Sequence, residues 1–507
     1  MEEKSGAIES GNGEDRTQLE KTLKPHWIWA IALGSAIGWG AFVQPTTWLA
    51  EAGPLGVIIG FSIGAVLMML IAVSYGFLIR TFPVSGGEFA YAYISLGRTH
   101  AFIAGWFLTF GYICIVALNA SAFALMFKFI FPKVIEIFPL YTIAGWDVYG
   151  MEIIIASIAL GAFGYFNVKG TGLSGRMQFF FASVMVVAVV LITLMVGAQP
   201  GAGLSNIQPY FPTNKTAFAA IISIVAIAPW AFVGFDVVPQ AAEEFDFPAK
   251  KAFTLIVLAL VFAAALYSLM IIATSMIKPW EGLVDENHIW GTGAAIQELL
   301  GIGGLSVLVI ALTMGIFTGL NGFIIAGSRL LFAMARAKIV PEVFGKVHPK
   351  HKTPHIAILA TTLVALVAPW FGRESLSWVV DMSSIGVSIA YLYTCYTAFK
   401  LFKYSRTENF DPLIHSVAPI KKVLSGIGVL SSFIFIGLLL IPGSPAFLGI
   451  ESRIALGIWI LLGFIFYMMK RKEFNNIPVK ELNYLILGTD EIVSQDAELN
   501  EKNKINA

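Results

Sequence analysis

The chain carries block after block of apolar residues, each about 20 long, the length a helix needs to cross a bilayer core, and this pattern constrains its fold more than any other feature. Backbone N–H and C=O groups find no water in lipid, so each block must close its own hydrogen bonds as a helix. Composition agrees. Of 507 residues, 57% are hydrophobic and 13% charged, against about 25% charged in a soluble domain. A surface of this size cannot be covered with so few charges. The net charge of +1 supplies no field for nucleic acid. Cys114 and Cys395 both lie inside apolar blocks and read as small packing residues, not as a disulfide or metal site.

Twelve spans are expected, at 27–50, 55–79, 100–127, 151–167, 177–198, 217–241, 252–277, 305–336, 355–371, 376–402, 424–441 and 453–470. Lysine and arginine crowd alternate connections, among them Lys21, Lys24, Arg80, Arg98, Lys169, Arg176, Lys250, Lys251, Arg336, Lys338, Lys421, Lys422, Lys470, Arg471 and Lys472. The other side shows only Lys128, Lys133, Lys215, Lys278, Arg373 and Arg453. The positive-inside rule then places both termini in the cytoplasm of a multi-pass cell-membrane protein. Residues 1–24 are polar with no apolar stretch typical of a signal peptide. Residues 473–507 are also polar, and their run Tyr484–Leu487 is too short to span. Both are expected as loosely ordered tails flanking a membrane domain at 25–472. Gly56, Gly60 and Gly64 share one face of the second span, a spacing that allows close helix packing.

Two spans are built to break. The first contains Gly34-Ser35-Ala36-Ile37-Gly38-Trp39-Gly40-Ala41-Phe42, then Gln44-Pro45. Each glycine costs a helix about 1 kcal/mol relative to alanine, and proline removes a backbone hydrogen bond. The sixth contains Pro229-Trp230-Ala231-Phe232-Val233-Gly234-Phe235-Asp236, then Pro239. Gly40 to Pro45 and Gly234 to Pro239 share one offset, each in the first span of one half of the core. Matched interrupted helices are the sequence mark of a carrier's binding site. Unwound backbone is tolerated in a membrane where it lines a cavity or ligand. Its free N–H groups suit a carboxylate and its free C=O groups an ammonium, so a zwitterionic amino acid fits both. A single Gly/Pro-rich span more often only kinks; the matched pair is what carries the reading.

With these residues in order, the sequence resembles the amino acid–polyamine–organocation (APC) family of permeases. Four stretches carry the resemblance: Gly34 to Phe42; Phe82-Pro83-Val84-Ser85-Gly86-Gly87-Glu88-Phe89-Ala90-Tyr91-Ala92; Phe232 to Asp236 with Ala242-Glu243-Glu244, Pro248 and Lys250; and Gly327-Ser328-Arg329 through Ala335-Arg336 and Pro341 to Val347-His348-Pro349 and Thr353-Pro354. The match covers residues 27 to about 400; the last two spans agree only in hydropathy. It implies an all-α membrane fold of LeuT-like type: an inverted five-plus-five repeat (about 27–198 and 217–402) with alternating access, then two peripheral helices at about 424–470. It implies an amino acid or related amine as cargo, moved by exchange or proton symport, with a polyamine- or ethanolamine-type amine as the alternative. The substrate carboxylate would meet backbone N–H groups from Ile37 through Gly38 and Trp39 to Gly40. The amino group would meet the carbonyls of Ala36, Trp230, Ala231 and Val233. Trp230 and Phe235 are the gate candidates, and relatives suggest a gating or proton-linked role for Asp236, the alternative being a residue at the end of span six near cytoplasmic water.

The sequence departs from the family pattern at several positions. Trp39 stands where many members carry Ser or Thr, which removes a hydroxyl and shrinks the pocket unless the ring packs aside. Asp236 replaces a common Glu; on insertion scales an ionised Asp costs about 2.5–3.5 kcal/mol at mid-membrane. Asp381 opens the tenth span and is a candidate for the distal end of the pocket, where it would favour a second positive charge, or for an outer-rim carboxylate facing water. No Lys lies between Arg176 and the end of the fifth span, and the position used by proton-coupled relatives falls near Met185. Exchange, uniport, protonation through Asp236, and a sodium route past Thr313, Thr318 and Asn321 all stay open.

Other motifs are set aside. Gly170-Thr171-Gly172-Leu173-Ser174-Gly175 matches a dinucleotide fingerprint but lies between two spans, not in a βαβ unit. The sequon at Asn119 lies inside a span; the one at Asn214 lies in an outer loop. His348, His351 and His355 sit in a basic loop, with solvation as the default reading. No cofactor is implied. A membrane enzyme would need clustered His, Asp or Glu at a membrane face, and a channel would need pore-lining rings and subunit symmetry; neither pattern is present.

Overall fold

The computed structural model describes residues 16–143, 146–286, 288, 290–372, 375–404, 419–444 and 446–489. In chain order its principal helices are α1 Pro25–Ile37, α2 Gly40–Val43, α3 Pro45–Thr81, α4 Gly87–Leu96, α5 Arg98–Ile130, α6 Gly150–Lys169, α7 Thr171–Gly197, α8 Ala217–Ala226, α9 Ala228–Ala231 and α10 Val237–Gln240. They continue with α11 Ala252–Ile277, α12 Gly291–Arg336, α13 His355–Ala365, α14 Ser375–Tyr404, α15 Pro419–Leu440, α16 Ile450–Asn476 and α17 Val479–Leu487. A hairpin of β1 Pro139–Ile143 and β2 Trp146–Tyr149, paired Thr142 to Asp147, caps the loop between α5 and α6.

Among the described residues nine helices are long and apolar enough to cross a membrane. They match the expected spans two, three, four, five, seven, eight, ten, eleven and twelve. The other three fall short for a local reason. Spans one and six are cut into the short helices α1–α2 and α8–α10, and span nine is the shorter His355–Phe371. Two of the long helices are themselves bent by glycines of positive φ: Gly53 (66°) separates the end of span one from span two, and Gly301 (65°) separates a lead-in helix from span eight. The 170–175 stretch is a direct junction of α6 and α7, with no strand before it.

Small residues set the packing. On α3, a methyl group at Gly60 would stand 2.5 Å from the Ile224 side chain, and one at Gly64 2.7 Å from Ala228. The glycine face of span two therefore receives span six.

Residues 16–24 and 473–487, read as tails, lie against the bundle on one face, here the terminal face. Leu19 and Leu23 are buried. The N–H groups of Thr22 and Leu23 donate to Glu244 O at 3.0 and 2.9 Å, and Asp246 N–H returns to Leu23 O at 2.9 Å. Helix α17 buries Leu482, Leu485 and Ile486, an apolar stripe too short to span but wide enough to dock. Two ion pairs join the third and fourth family-like stretches here: Arg329 with Glu244 at 2.8 Å, fully buried, and Arg336 with Glu243 at 2.7 Å. Arg16 also pairs with Glu243 and donates to Leu485 O at 3.3 Å. Burial alone would raise the Glu243 carboxyl; Arg336 and Arg16 outweigh it and hold it below the usual carboxylate range.

Candidate solute site at two broken helices

The first break falls at Gly38 (φ 49°, ψ −140°) and the second at Gly234 (φ 135°), backbone angles that an L side chain rarely adopts. Ile37 closes α1, Gly38 and Trp39 form the gap, and Gly40 opens α2. The equal glycine-to-proline offset read from the sequence is therefore not the offset of the breaks. Gly40 is helical, and the bend lies two residues earlier, at Gly38. Pro45 begins α3, where its missing N–H leaves no bond unmade.

The two breaks touch, backbone to backbone. A methyl group on Gly234 would stand 2.4 Å from the Ala36 nitrogen and 2.5 Å from the Ser35 carbonyl carbon. Helix α12 presses from the other side with Gly315 and Gly322, while Gly319 between them faces the Asn119 side chain. A methyl group at Gly315 would meet Gly38 O at 2.1 Å, and one at Gly322 would meet Ser35 Oγ at 1.9 Å. The i, i+4, i+7 spacing puts the three glycines on one face, a signal present in the sequence but hidden among many membrane glycines.

Tyr267, on α11, ties the breaks together. Its hydroxyl lies 2.9 Å from Ala36 O and 2.8 Å from Ala231 O, with Ile37 O at 3.4 Å. One hydroxyl proton is thus offered to carbonyls of both broken helices, two of which the family resemblance assigns to a substrate amino group. The Trp230 carbonyl accepts from Val233 N–H at 3.3 Å. Asn119, on α5, faces the same region. Its amide nitrogen donates to Ile115 O at 2.8 Å, while its buried Oδ1, beside Gly319, has no partner.

Aromatic rings flank the breaks. Trp39 is buried, and its ring meets half-buried Trp230 edge-on with centroids 6.0 Å apart. Gly40 lies under the Trp230 ring, 3.1 Å from it were it to carry a methyl group. Farther along span six, Phe235 stacks on Tyr391 at 5.4 Å and meets Tyr75 edge-on at 5.3 Å. Asp236 is fully buried; its Oδ1 accepts from Gly234 N–H at 2.6 Å and its Oδ2 from Tyr112 O–H at 2.8 Å. Asp381 accepts from Ser452 O–H at 2.7 Å and Gly449 N–H at 3.3 Å, which turns it toward the start of α16.

The fifth-span region is polar but carries no amine. Gln178 Nε2 donates to Ala30 O and Thr318 O, and Asn321 Nδ2 donates to Gln178 Oε1 at 2.8 Å. Thr318 O–H lies 2.9 Å from Gly34 O, and Thr313 O–H donates to Val309 O at 2.7 Å. The hydroxyls considered for a sodium route thus serve helix carbonyls. Among the described residues no group of three or more His, Cys, Asp or Glu is placed to hold a metal.

Tyr267→Phe tests the bridge. It leaves buried carbonyls at both breaks short of a donor, at roughly 1–3 kcal/mol. On the resemblance, which assigns these carbonyls to a substrate ammonium, the expected result is a lower melting temperature without solute and a larger rise than wild type on adding an amino acid. Equal solute-induced shifts in wild type and variant would place the amino group elsewhere.

Known proteins resemble the chain over most of its length. A family model described as amino acid permease matches residues 28–466. Among curated proteins the chain is 26% identical over 472 residues to a branched-chain amino acid permease of Bacillus subtilis, covering 91% of this chain and 96% of the relative. It is 26% identical to a branched-chain amino acid permease of Lactococcus lactis, covering 86% and 92%, and 25% identical to a lysine-specific permease of Escherichia coli, covering 74% and 77%.

Proposed function

Because this chain belongs to the amino acid permease family, an all-α family of multi-pass membrane transporters, we propose that it carries a neutral amino acid with an apolar side chain by alternating access. The observation that carries this reading is the meeting of the two breaks under one hydroxyl, with Tyr267 on Ala36 O and Ala231 O. Carbonyls gathered there from two chain segments receive the ammonium. The chain from Ile37 to Gly40 offers backbone N–H groups to the carboxylate. Trp39 and Trp230 then wall the side chain, with Trp230 and Phe235 as gates on either side of the breaks.

Two observations support a neutral side chain. Asp381 is turned toward Ser452 and Gly449 at the start of α16, which argues against its carboxylate facing the side chain of the solute. Two of the relatives are branched-chain permeases, matched over most of both chains. The terminal face is cytoplasmic on this reading, since it carries the excess of Lys and Arg, and the membrane is the cell membrane.

The test is counterflow with purified protein in liposomes and a panel of labelled amino acids. Saturable uptake, accelerated by internal leucine, isoleucine or valine, is the expected result. Flux that rises linearly with concentration would overturn the carrier reading, and acceleration by lysine or arginine alone would overturn the neutral side chain.

A further inference from the structure

Helix α17 is nine residues long, shorter than the roughly 12–15 residues at which a lone helix becomes even marginal in water. Docking is what keeps it helical. Leu482, Leu485 and Ile486 are buried beneath it, and Asn483 Oδ1 accepts from the Tyr93 hydroxyl on α4 at 2.7 Å. The approach to α17 is pinned as well. Arg98, at the start of α5, donates to Phe474 O and, at 2.5 Å, to Ile477 O. Lys338, just past α12, pairs with Glu481 at 3.2 Å. One side of α17 is thus held by α4, α5 and the end of α12.

The other side meets the N-terminal strap, residues 16–24. Arg16 Nε donates to Leu485 O at 3.3 Å, in the last turn of α17, where carbonyls have no partner within the helix and a cation is favoured. Gly488 follows in the left-handed region (φ 75°), and a methyl group there would stand 3.3 Å from the Arg16 guanidinium. Arg16 therefore caps α17. The strap is in turn fastened below the breaks. It runs into α1 at Pro25, and Leu23 bridges to Phe245, just past span six. Arg16 thus joins two groups of elements on this face: the strap with spans one and six, and α17 with α4 and α5. The joint can open cheaply in charge terms. Arg16 also pairs with Glu243, but Glu243 keeps Arg336 when Arg16 leaves, so no buried carboxylate is stranded.

We propose that α17 is a releasable clasp on the terminal face: docked on α4 and α5 and capped by Arg16, it holds the strap and, through it, the ends of spans one and six, so that the carrier opens toward this face only when the clasp lets go. This rests on the carrier reading above. A solute held at the breaks leaves by the terminal face only if the ends of spans one and six part there from α4 and α5. Two properties make the clasp two-state. Helix α17 is too short to stay helical once undocked, so docking and folding are one step. Its cap belongs to the strap, so strap and helix release each other together. Undocking exposes three apolar side chains to water, and that cost biases the resting carrier toward a closed terminal face. The chain's own end thereby sets how readily the solute site opens to that side.

The experiment measures labelled leucine uptake by the full chain in right-side-out and inside-out membrane vesicles, from cells that lack leucine uptake of their own. These present leucine to the outer and to the terminal face in turn. Leu482→Ser combined with Leu485→Ser undocks α17. Half-saturating leucine is expected to fall by about fivefold in inside-out vesicles and to rise in right-side-out ones, because apparent affinity scales with the fraction of carriers open to that face. A merely structural defect would move both values in one direction. Arg16→Gln, which removes only the cap, is expected to give the same opposed shifts at about twofold, and Arg16→Lys, which keeps a cation beside Leu485 O, smaller ones. Hydrogen exchange in nanodiscs checks the docking itself. Amides of residues 483–487 are expected to be protected in wild type, and in the double variant to exchange together with those of Leu23 and Asp246 while α5 stays protected. An unprotected α17 in wild type overturns the clasp alone, as do half-saturation values that stay unchanged or shift in one direction at both faces. If the double variant also loses protection in α5, Arg16→Gln decides by the same criterion. Absence of saturable uptake in wild type overturns the carrier reading, and the clasp with it.

Discussion

Gly234→Ala is expected to reduce solute counterflow by about a hundredfold and to lower the melting temperature of the purified protein. Two costs fall on the same atom. The added methyl group would stand 2.4 Å from the Ala36 nitrogen, and its obstruction is backbone, which no rotamer change relieves. Overpacking of this kind costs typically about 1–3 kcal/mol. The backbone at φ 135° is also one that alanine adopts only under strain, worth roughly another 1–3 kcal/mol. Either the breaks separate, pulling Ala36 O away from Ala231 O and undoing the Tyr267 bridge, or Gly234 relaxes and releases its N–H from Asp236. Both routes damage the site that the two helices form together. Gly197→Ala is the matched control. Gly197 is helical, its φ is ordinary, and nothing lies within 4 Å of where the methyl group would be. That change is expected to leave stability unchanged or to raise it by up to about 1 kcal/mol. Wild-type counterflow from Gly234→Ala, with the control equally active, would show that the breaks do not need to touch.

This contrast marks what was legible in the sequence. Apolar block length is a one-dimensional property, so nine membrane helices could be read directly, and the missing length of spans one and six followed from their Gly and Pro content. Which glycine bends is not one-dimensional. Gly34, Gly38 and Gly40 carry similar intrinsic helix costs, and the choice of Gly38 is made by neighbours, chiefly Gly315 pressed against its carbonyl. Tyr267 was invisible for the same reason. It is one of several polar residues in the apolar run of α11, with Ser268, Thr274 and Ser275, and only the packing of α11 across both breaks reveals its task. Asn119 carries a signal, an amide in an apolar span, but in the sequence it stands out only as part of a sequon. The terminal segments were read as loose because they are polar on average; α17 shows that three well-spaced apolar residues suffice to dock a helix on a surface already present.

Trp39→Ser is expected to widen the range of solutes toward larger side chains. Trp39 stands where the family resemblance leads to a Ser or Thr, and it is buried at 5% exposure with its ring edge-on to Trp230. Such aromatic pairs are worth about 0.5–1.5 kcal/mol beyond the area they bury, so the two rings fix each other beside the breaks. Removing one leaves a void beside the other. In a hydrophobic pocket each methylene that fits or fails to fit is worth about 1–3 kcal/mol. A space vacated by an indole should therefore shift the ratio of kcat/KM for phenylalanine over valine by about tenfold or more in favour of phenylalanine. The same void weakens the protein, since truncating a buried Trp costs roughly 3–5 kcal/mol where the site cannot collapse. Trp39→Leu separates the two effects, because it keeps much of the apolar volume and so most of the stability, while still opening room. A graded order, wild type then Leu then Ser, in the phenylalanine-to-valine ratio is the signature of a pocket wall. If both variants keep the wild-type ratio while melting earlier, Trp39 is a packing residue between the broken helices, and the size of the cargo is set by Trp230 and its own neighbours instead.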